Sequence, residues 1–173
     1  AAIRAVADVE AGGAGFKDDK PKILFEGHIF YRYTNGRYAE THPDLCYKTW
    51  TKRFYAKSQE GEWERYNRAA NLDAKAAVLA TSWGKFQIMG KNHAACGADS
   101  IEKFVRTMCS GELGQIQLLA GFIEYTKPLH DALKKKDWAK VAFHYNGKGY
   151  KVNNYDTKMR QAYQDIKKKG SSP

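Results

Sequence analysis

Apolar side chains recur at helical spacing through most of the chain from residue 60 onward, with few helix-breaking residues between them. Residues 60–70 and 73–81 are rich in alanine, and Asn71 or Asp73 can cap the second of these segments. Ser100 is placed to cap a further helix. Such a pattern restricts the chain to folds in which helices supply most of the hydrophobic core.

Three more helices are predicted toward the C-terminus, over residues 112–125, 137–145 and 154–166. The first has the clearest pattern, because its apolar residues are spaced to form one stripe. The members of that stripe are Leu113, Ile116, Leu119, Ala120 and Ile123. We therefore expect this face of the helix to be buried.

The N-terminal third has a more mixed pattern. Residues 1–10 have the apolar spacing of a helix, which ends in a glycine-rich stretch. Residues 21–26 are typical of a short strand, and residues 28–34 can continue it or turn helical. Asn35-Gly36 then predicts a turn. The prediction is an α+β fold that is mostly helical, with a small β element near the N-terminal third.

Length and charge narrow the classes of function. The length of 173 residues predicts one domain, residues 1–173, and no stretch approaches the roughly 18–20 apolar residues of a membrane span. The 29 lysines and arginines exceed the 19 aspartates and glutamates by 10, which predicts attraction to nucleic acid, anionic lipid or an acidic cell wall. Cys46, Cys96 and Cys109 match no zinc spacing, so we expect free thiols, no metal and no cofactor.

Glu10 is the first candidate for chemistry. It ends the predicted apolar helix, just before the glycine-rich stretch. A negative charge at a helix C-terminus meets the unfavourable end of the helix dipole, and partial shielding by the helix favours the protonated carboxyl that a general acid needs. The structural alternative is a solvated carboxylate at a helix end.

Glu26 is the second candidate, because it is a carboxylate inside the apolar run of residues 23–30. Such a carboxylate must face solvent or find polar partners. If the segment is a strand, His28 shares its face. An exposed strand position explains the pattern equally well.

Residues 82–90 combine aromatic and polar side chains directly after a predicted helix. Gln87 lies among apolar residues, and its amide can bind the N-acetyl group or a hydroxyl of a sugar. Ser82 and Trp83 are the other candidates in this stretch. The alternative is a tight junction between helices, with Trp83 in the core.

Residues 143–155 place tyrosine and asparagine around paired glycines, a composition that suits the rim of a carbohydrate site. The candidates here are Tyr145, Asn146 and Tyr150. Helix termination at Asn146, with one tyrosine in the core, explains the same pattern.

Taken in order, these stretches resemble the N-acetylmuramidase domain of phage endolysins. The resemblance covers about residues 3–163, and its motifs are residues 9–16, 21–30, 82–90 and 145–150. Residues 84–89 also resemble the segment that lines the glycan groove of goose-type lysozymes and lytic transglycosylases. Ala11 replaces a serine that is common in the family, which leaves the acid intact.

The resemblance implies a lysozyme-like fold cut by a glycan-binding groove, and an enzyme that cleaves the MurNAc-β-1,4-GlcNAc bond of peptidoglycan without a cofactor. Glu10 would protonate the glycosidic oxygen. Glu26 is our first candidate for a second carboxylate, ahead of Asp18 and Asp19. The residues expected to hold the sugar are Ser82, Trp83, Gln87, Tyr145, Asn146 and Tyr150.

Other functions stay open at this point. A lytic transglycosylase could use Glu10 as acid and then as base, giving 1,6-anhydroMurNAc ends. A non-catalytic wall-binding module would not need Glu10 at a helix end. A basic nucleic-acid-binding domain would cluster its cations on one face, whereas lysine and arginine are spread along this chain.

The resemblance also implies where the protein works. No secretory signal opens the sequence, so we expect a protein that is made in the host cytoplasm and reaches the periplasm by holin-type release. We also expect it to act as a monomer. Its partners would be peptidoglycan strands and an anionic cell envelope, with no nucleic acid. Family members often carry an N-terminal peptidoglycan-binding module. None is recognised in this sequence, so we expect a trimmed or purely catalytic chain.

Overall fold

Helices account for most of the chain in the computed structural model, which describes residues 1–10, 13–146, 151 and 154–169. The N-terminal third contains α1 (Ala2–Glu10) and α2 (Gly27–Tyr33). The helices that follow are α3 (Gln59–Leu72), α4 (Ala74–Leu79), α5 (Ile101–Cys109), α6 (Glu112–Tyr125), α7 (Lys127–Lys134), α8 (Trp138–Asn146) and α9 (Tyr155–Lys169). Two short 3-10 helices, Gly90–Asn92 and Ala94–Cys96, precede α5.

Two small antiparallel sheets lie among the helices. The first is a hairpin of β1 (Phe16–Lys17) and β2 (Lys20–Pro21). The second has the strand order β3 (Ile23–Phe25), β4 (Thr81–Trp83) and β5 (Ile88–Met89). Because β3 precedes α2 while β4 and β5 follow α4, this second sheet joins the N-terminal third to the rest of the chain.

The two faces of the second sheet have different surroundings, since side chains alternate along each strand. One row of side chains is buried in the core and consists of Ile23, Trp83 and Ile88. The neighbouring row lies on the opposite face and consists of Leu24, Ser82 and Met89. Leu24 and Met89 of this second row line the cleft described below.

The core consists of two groups of buried side chains. The larger group includes Val6 of α1, Leu119 of α6 and Trp138 of α8. The smaller group surrounds Phe30 of α2. Tyr66 of α3 packs against both groups, and α1 also packs along α9. The helix that ends at Glu10 is therefore held on several sides.

The predicted helices are confirmed, except that the one predicted over residues 73–81 ends at Leu79 and Thr81 already belongs to β4. Helix α7 is an additional one. Asp73 caps α4 by accepting from the Ala76 N–H, and Ser100 caps α5 by accepting from the Lys103 N–H. These two side chains supply the acceptors that the first turn of a helix lacks. Within the described ranges, none of the helices is long and apolar enough to cross a membrane.

Residues 28–34 belong mostly to α2, which settles the alternative left open by their sequence. Glycine begins the helix because a Cβ at Gly27 would collide with the ring of Tyr47. Asn35 and Gly36 then form the predicted turn, with positive φ angles of 50° and 71°. The small β element precedes α2 as β3.

The apolar stripe predicted for α6 is wrong at its N-terminal end. Leu113 is 83% exposed and Ile116 is 36% exposed, whereas Leu119 and Ile123 are buried as expected. Gln115 is fully buried in the first turns of α6, where the stripe predicted an apolar side chain. A polar side chain occupies this place because it has hydrogen-bond partners on neighbouring segments.

Candidate active site

Glu10 lies at the C-terminal end of α1, on the wall of a cleft formed with the β4–β5 hairpin. The cavity on one side has a volume of about 370 Å³ and includes Met89, Phe122 and Tyr145 in its lining. A second cavity of about 330 Å³ includes Leu24. Glu10 and Gln87 line both cavities, so the cleft extends to either side of this pair of side chains.

Tyr145 lines the same cavity as Glu10. Burial, and then the negative charge of Glu10, raises the pKa of Tyr145 far above its ordinary value. The phenol therefore stays protonated and can act as a hydrogen-bond donor in the cleft. Its ring packs edge-to-face against Phe122, with ring centroids 6.5 Å apart.

Gln87 occupies the turn of the β4–β5 hairpin, with a φ of 49°. Its amide nitrogen donates to the Gly84 carbonyl at 2.9 Å, which fixes the side chain while leaving it exposed. The second N–H and the carbonyl oxygen can then bind a ligand in the cleft. This geometry fits the sugar-binding role predicted from the sequence.

The other two candidates on this hairpin have different surroundings. The hydroxyl of Ser82 donates to the Met89 sulfur at 2.9 Å, on the sheet face that Ser82 shares with Leu24. Trp83 is only 1% exposed, packs against Trp63 and Tyr66, and donates its indole N–H to the Val78 carbonyl at 3.2 Å. The predicted contact of Trp83 with substrate is wrong in this structure, because its ring is enclosed in the core.

The third group of candidates extends beyond the described residues. Asn146 is the last residue of α8, but its side chain is outside the described part of the chain, and so is Tyr150. Their roles stay predictions. Asn146 follows Tyr145, which lines the cleft, as the last residue of α8.

Glu26 lies at the junction of β3 and α2, two residues beyond Leu24. It is extended, with φ −105° and ψ 92°, so it continues the alternation of β3 and belongs to the face of Leu24. Its Oε2 accepts a hydrogen bond of 2.6 Å from the Tyr55 hydroxyl and lies 3.4 Å from His28 Nδ1. The side chain is 15% exposed, so the carboxylate is shielded but reaches the surface.

The weaker candidates for a second carboxylate lie elsewhere. Asp18 and Asp19 form the exposed turn of the β1–β2 hairpin, with positive φ angles of 50° and 60°. Asp18 lines a different cavity, between this hairpin and α3. The geometry favours Glu26, which shares a sheet face with Leu24 in the lining of the cleft.

A buried ion pair in α3 supports the region around Glu26. Glu62 and Arg65 are 3.0 Å apart, with side-chain exposures of 3% and 9%. The two oxygens of Glu62 also accept from the Phe25 N–H at 3.1 Å and the Ala56 N–H at 2.6 Å. One carboxylate thus holds strand β3 and the segment before α3 together.

Gln115 is a functional candidate that the sequence did not indicate. Its Oε1 accepts from the Lys85 N–H at 2.7 Å, and its Nε2 donates to the carbonyls of Met108 at 3.2 Å and Gly15 at 3.5 Å. These bonds tie the segment after Glu10, the β4–β5 hairpin and α6 to one amide. Glycine at position 15 provides the space for this side chain, since a Cβ there would collide with Gln115 Oε1.

Among the residues that the structure describes, no group of three or more histidine, cysteine, aspartate or glutamate side chains is placed to hold a metal ion. Cys46, Cys96 and Cys109 are free thiols, and burial raises the pKa of Cys96 to about 12. The chemistry of the cleft is that of carboxyl, phenol and amide groups.

A helical fold with a glutamate at a helix end, opposite a small antiparallel sheet, defines the class of lysozyme-like proteins. The chain belongs to the N-acetylmuramidase family, whose family model matches residues 1–167, and the resemblance inferred from the sequence is confirmed. It is similar to the crystal structure of a Burkholderia AP3 phage endolysin, with a TM-score of 0.88 and 37% sequence identity. The match covers 96% of this chain and 65% of that one. None of the curated proteins compared with the chain matches it.

Proposed function

We propose that this chain is the peptidoglycan-cleaving part of a phage endolysin and breaks the MurNAc-β-1,4-GlcNAc bond. The observation that carries the proposal is Glu10, at the centre of a cleft in a chain whose residues 1–167 match the N-acetylmuramidase family. The similar crystal structure is that of a phage endolysin. A net charge of +10 suits a cell wall rich in acidic stem peptides.

In the proposed reaction, Glu10 is the general acid that protonates the glycosidic oxygen as the bond breaks. The transition state resembles an oxocarbenium ion, so a leaving group that receives a proton lowers the barrier. Gln87 and Tyr145, on the walls beside Glu10, donate hydrogen bonds that hold the sugar. The reaction needs no cofactor.

Glu26 is the proposed second carboxylate, the group that holds the attacking water. Successive residues on one face of a strand are roughly 6–7 Å apart, so Glu26 extends the cleft wall by one step beyond Leu24. The donor hydrogen bond from Tyr55 orients its carboxylate. These contacts support hydrolysis over the lytic transglycosylase reaction, in which one glutamate suffices.

A variant at Glu10 tests the reaction. Glu10→Gln keeps the size of the side chain but cannot deliver a proton, so lysis of permeabilised Gram-negative cells should fall at least about 100-fold. Its circular dichroism spectrum should match that of the wild type. The matched control is Asp8→Asn, an exposed carboxylate on the same helix, which should retain activity. Retained activity in Glu10→Gln would remove Glu10 from the mechanism.

The products distinguish the two glycosidic reactions. Hydrolysis of purified sacculi gives reducing MurNAc ends, and a transglycosylase gives 1,6-anhydroMurNAc ends that are lighter by the mass of one water. We expect reducing ends in the mass spectrum of the digest. A product set dominated by anhydro ends would contradict the hydrolase and leave Glu26 with a structural role. Binding to sacculi without any cleavage would instead support a wall-binding module.

We also propose that the protein reaches the wall from the cytoplasm by a holin-type release. In the periplasm it acts as a monomer. Expression inside a Gram-negative host should leave cells intact until the inner membrane is permeabilised, and should then cause rapid lysis. Lysis without permeabilisation would contradict this route. Sedimentation equilibrium of the purified chain measures its oligomeric state directly.

A further inference from the structure

The segment between α2 and α3 has a composition that the proposed reaction does not use. Residues 47–57 contain four cationic side chains and no acidic one. All four cations are exposed, and they are Lys48, Lys52, Arg53 and Lys57. Of the acids beside the segment, Asp44 is paired with Arg68 and Glu62 is paired with Arg65. Glu26, which accepts from Tyr55, is a single negative charge against these four cations. The segment is therefore a local concentration of free positive charge.

Trp50 gives this segment a flat apolar surface. Its side chain is 55% exposed, and the ammonium of Lys52 lies 5.9 Å from the ring centroid. The large rigid face of an exposed indole suits stacking on a sugar ring. Cation and ring together present an amphipathic surface to the solvent.

Residues 47–57 are anchored to the rest of the fold. Tyr47 packs against Phe54, with ring centroids 5.1 Å apart, and the Ala56 N–H donates to the buried Glu62 at 2.6 Å. Anchoring matters for binding, because a surface that is already ordered loses less conformational entropy when a ligand docks.

The segment is continuous with the cleft through hydrogen bonds. Tyr55 belongs to the segment, and its hydroxyl donates to Glu26 at 2.6 Å. Glu26 shares a sheet face with Leu24, and Leu24 lines the cavity of Glu10. A glycan strand that runs from Glu10 past Leu24 and Glu26 therefore reaches residues 47–57 at Tyr55.

We propose that residues 47–57 form an accessory subsite for a peptide-bearing sugar of peptidoglycan, an inference that rests on the function proposed above. Trp50 stacks on the sugar ring, and Lys52 and Arg53 bind carboxylates of the stem peptide attached to it. The favoured ligand is thus the cross-linked or peptide-substituted wall, rather than a bare glycan. The subsite provides affinity and takes no part in breaking the bond.

Binding measurements in the Glu10→Gln background test the subsite separately from catalysis. The ligands are intact sacculi and glycan strands freed of peptide by an amidase. Lys52→Ala/Arg53→Ala should lower affinity for intact sacculi about 3- to 10-fold, and should lower affinity for peptide-free strands less. Trp50→Ala should lower affinity for both ligands about 10-fold.

A charge-matched control is available at the end of α7. Lys134→Ala/Lys135→Ala removes the same charge from exposed positions outside the segment, and should lower affinity for intact sacculi by less than twofold. Thermal unfolding of each variant checks that the fold is kept.

Three results would overturn the subsite. The first is an equal loss of affinity for both ligands in the Lys52→Ala/Arg53→Ala variant. The second is an equal loss of affinity for intact sacculi in the α7 control. The third is that the Lys52→Ala/Arg53→Ala variant binds sacculi as the wild type does but no longer binds phosphatidylglycerol vesicles. The last result would assign the segment to lipid. Failure of the wild-type chain to cleave sacculi would overturn the proposed function, while the binding comparison would still decide the subsite.

Discussion

Tyr55 donates a hydrogen bond of 2.6 Å to Oε2 of Glu26, although 29 residues separate the two in the chain. Burial, and then the hydrogen bond and charge of Glu26, raises the pKa of Tyr55 well above its ordinary value. The phenol therefore keeps its proton and remains a donor. Glu26 is therefore held in one orientation on the sheet face that it shares with Leu24, which suits the role proposed for it.

The first prediction concerns this hydrogen bond. Tyr55→Phe keeps the ring but removes the donor, so kcat on sacculi should fall roughly 10- to 100-fold because the carboxylate loses its orientation. The control is Tyr38→Phe, which removes a hydrogen bond of 2.8 Å to the Leu72 carbonyl, away from the cleft, and should keep wild-type kcat. An unchanged kcat in Tyr55→Phe would contradict a water-holding role for Glu26.

The second prediction concerns the buried ion pair between Glu62 and Arg65. Glu62→Ala leaves the buried guanidinium of Arg65 unpaired and removes the acceptor for two backbone N–H groups. Breaking a buried pair from one side costs about 3–5 kcal/mol, so the free energy of unfolding should fall by about that amount. Chemical denaturation measures it.

Glu64→Ala is the control for this prediction. Glu64 is an exposed carboxylate on the same helix, and its removal should change the free energy of unfolding by less than about 0.5 kcal/mol. A loss of less than about 1 kcal/mol in Glu62→Ala would mean that water or neighbouring groups compensate Arg65, and that the pair does not anchor β3.

Periodicity and capping predicted most of the helices, because those features are local. Ser100 and Asp73 bond to backbone groups three residues away, and α1 buries the face that its own spacing defines. The same local signals placed Glu10 at a helix end. The order of the four motifs along the chain then indicated the family.

Contacts between distant segments explain what the sequence did not reveal. Gln115 can be buried because its hydrogen-bond partners belong to residues 15, 85 and 108. The apolar spacing of α6 therefore predicted the wrong buried face for the first turns of the helix. Trp83 looked like a ligand-binding aromatic, but its place in the row of buried strand residues encloses it. Tyr55 reaches Glu26 only through the folded segment between α2 and α3.

The third prediction tests the tether at Gln115. Gln115→Met keeps similar bulk but removes the acceptor for the Lys85 N–H and the donors to two carbonyls, so the free energy of unfolding should fall by about 1–3 kcal/mol. Activity should fall further than stability explains, since Gly15 and the β4–β5 hairpin lose their common partner beside Glu10. Initial rates measured well below the melting temperature separate the two effects.

Gln117→Ala is the matched control for the tether, because Gln117 is an exposed amide on the same helix. It should keep wild-type stability and initial rates. If Gln115→Met lost stability but kept the wild-type rate, Gln115 would be a core residue with no part in positioning the cleft.

The last prediction concerns pH and His28. Burial lowers the pKa of His28 below its ordinary value of 6.5, against the charge of Glu26, which raises it. The charges of Arg32 and Lys91 lower the pKa further. Because the unfolded imidazole binds a proton more readily than the folded one, stability rises with pH between the lowered pKa and 6.5. The stabilisation is complete above that window and is lost as the pH falls through it.

The melting temperature of the wild type should therefore fall between about pH 7.5 and pH 5.5, and it should fall less in His28→Asn, which has no proton to bind. Glu102, Glu112 and Asp137, whose carboxyl pKa values are lowered by hydrogen bonds, titrate below this window and do not account for the difference. His144→Asn is the control, since it removes an exposed imidazole. Identical slopes for the wild type and His28→Asn would show that protonation of this side chain is not coupled to folding.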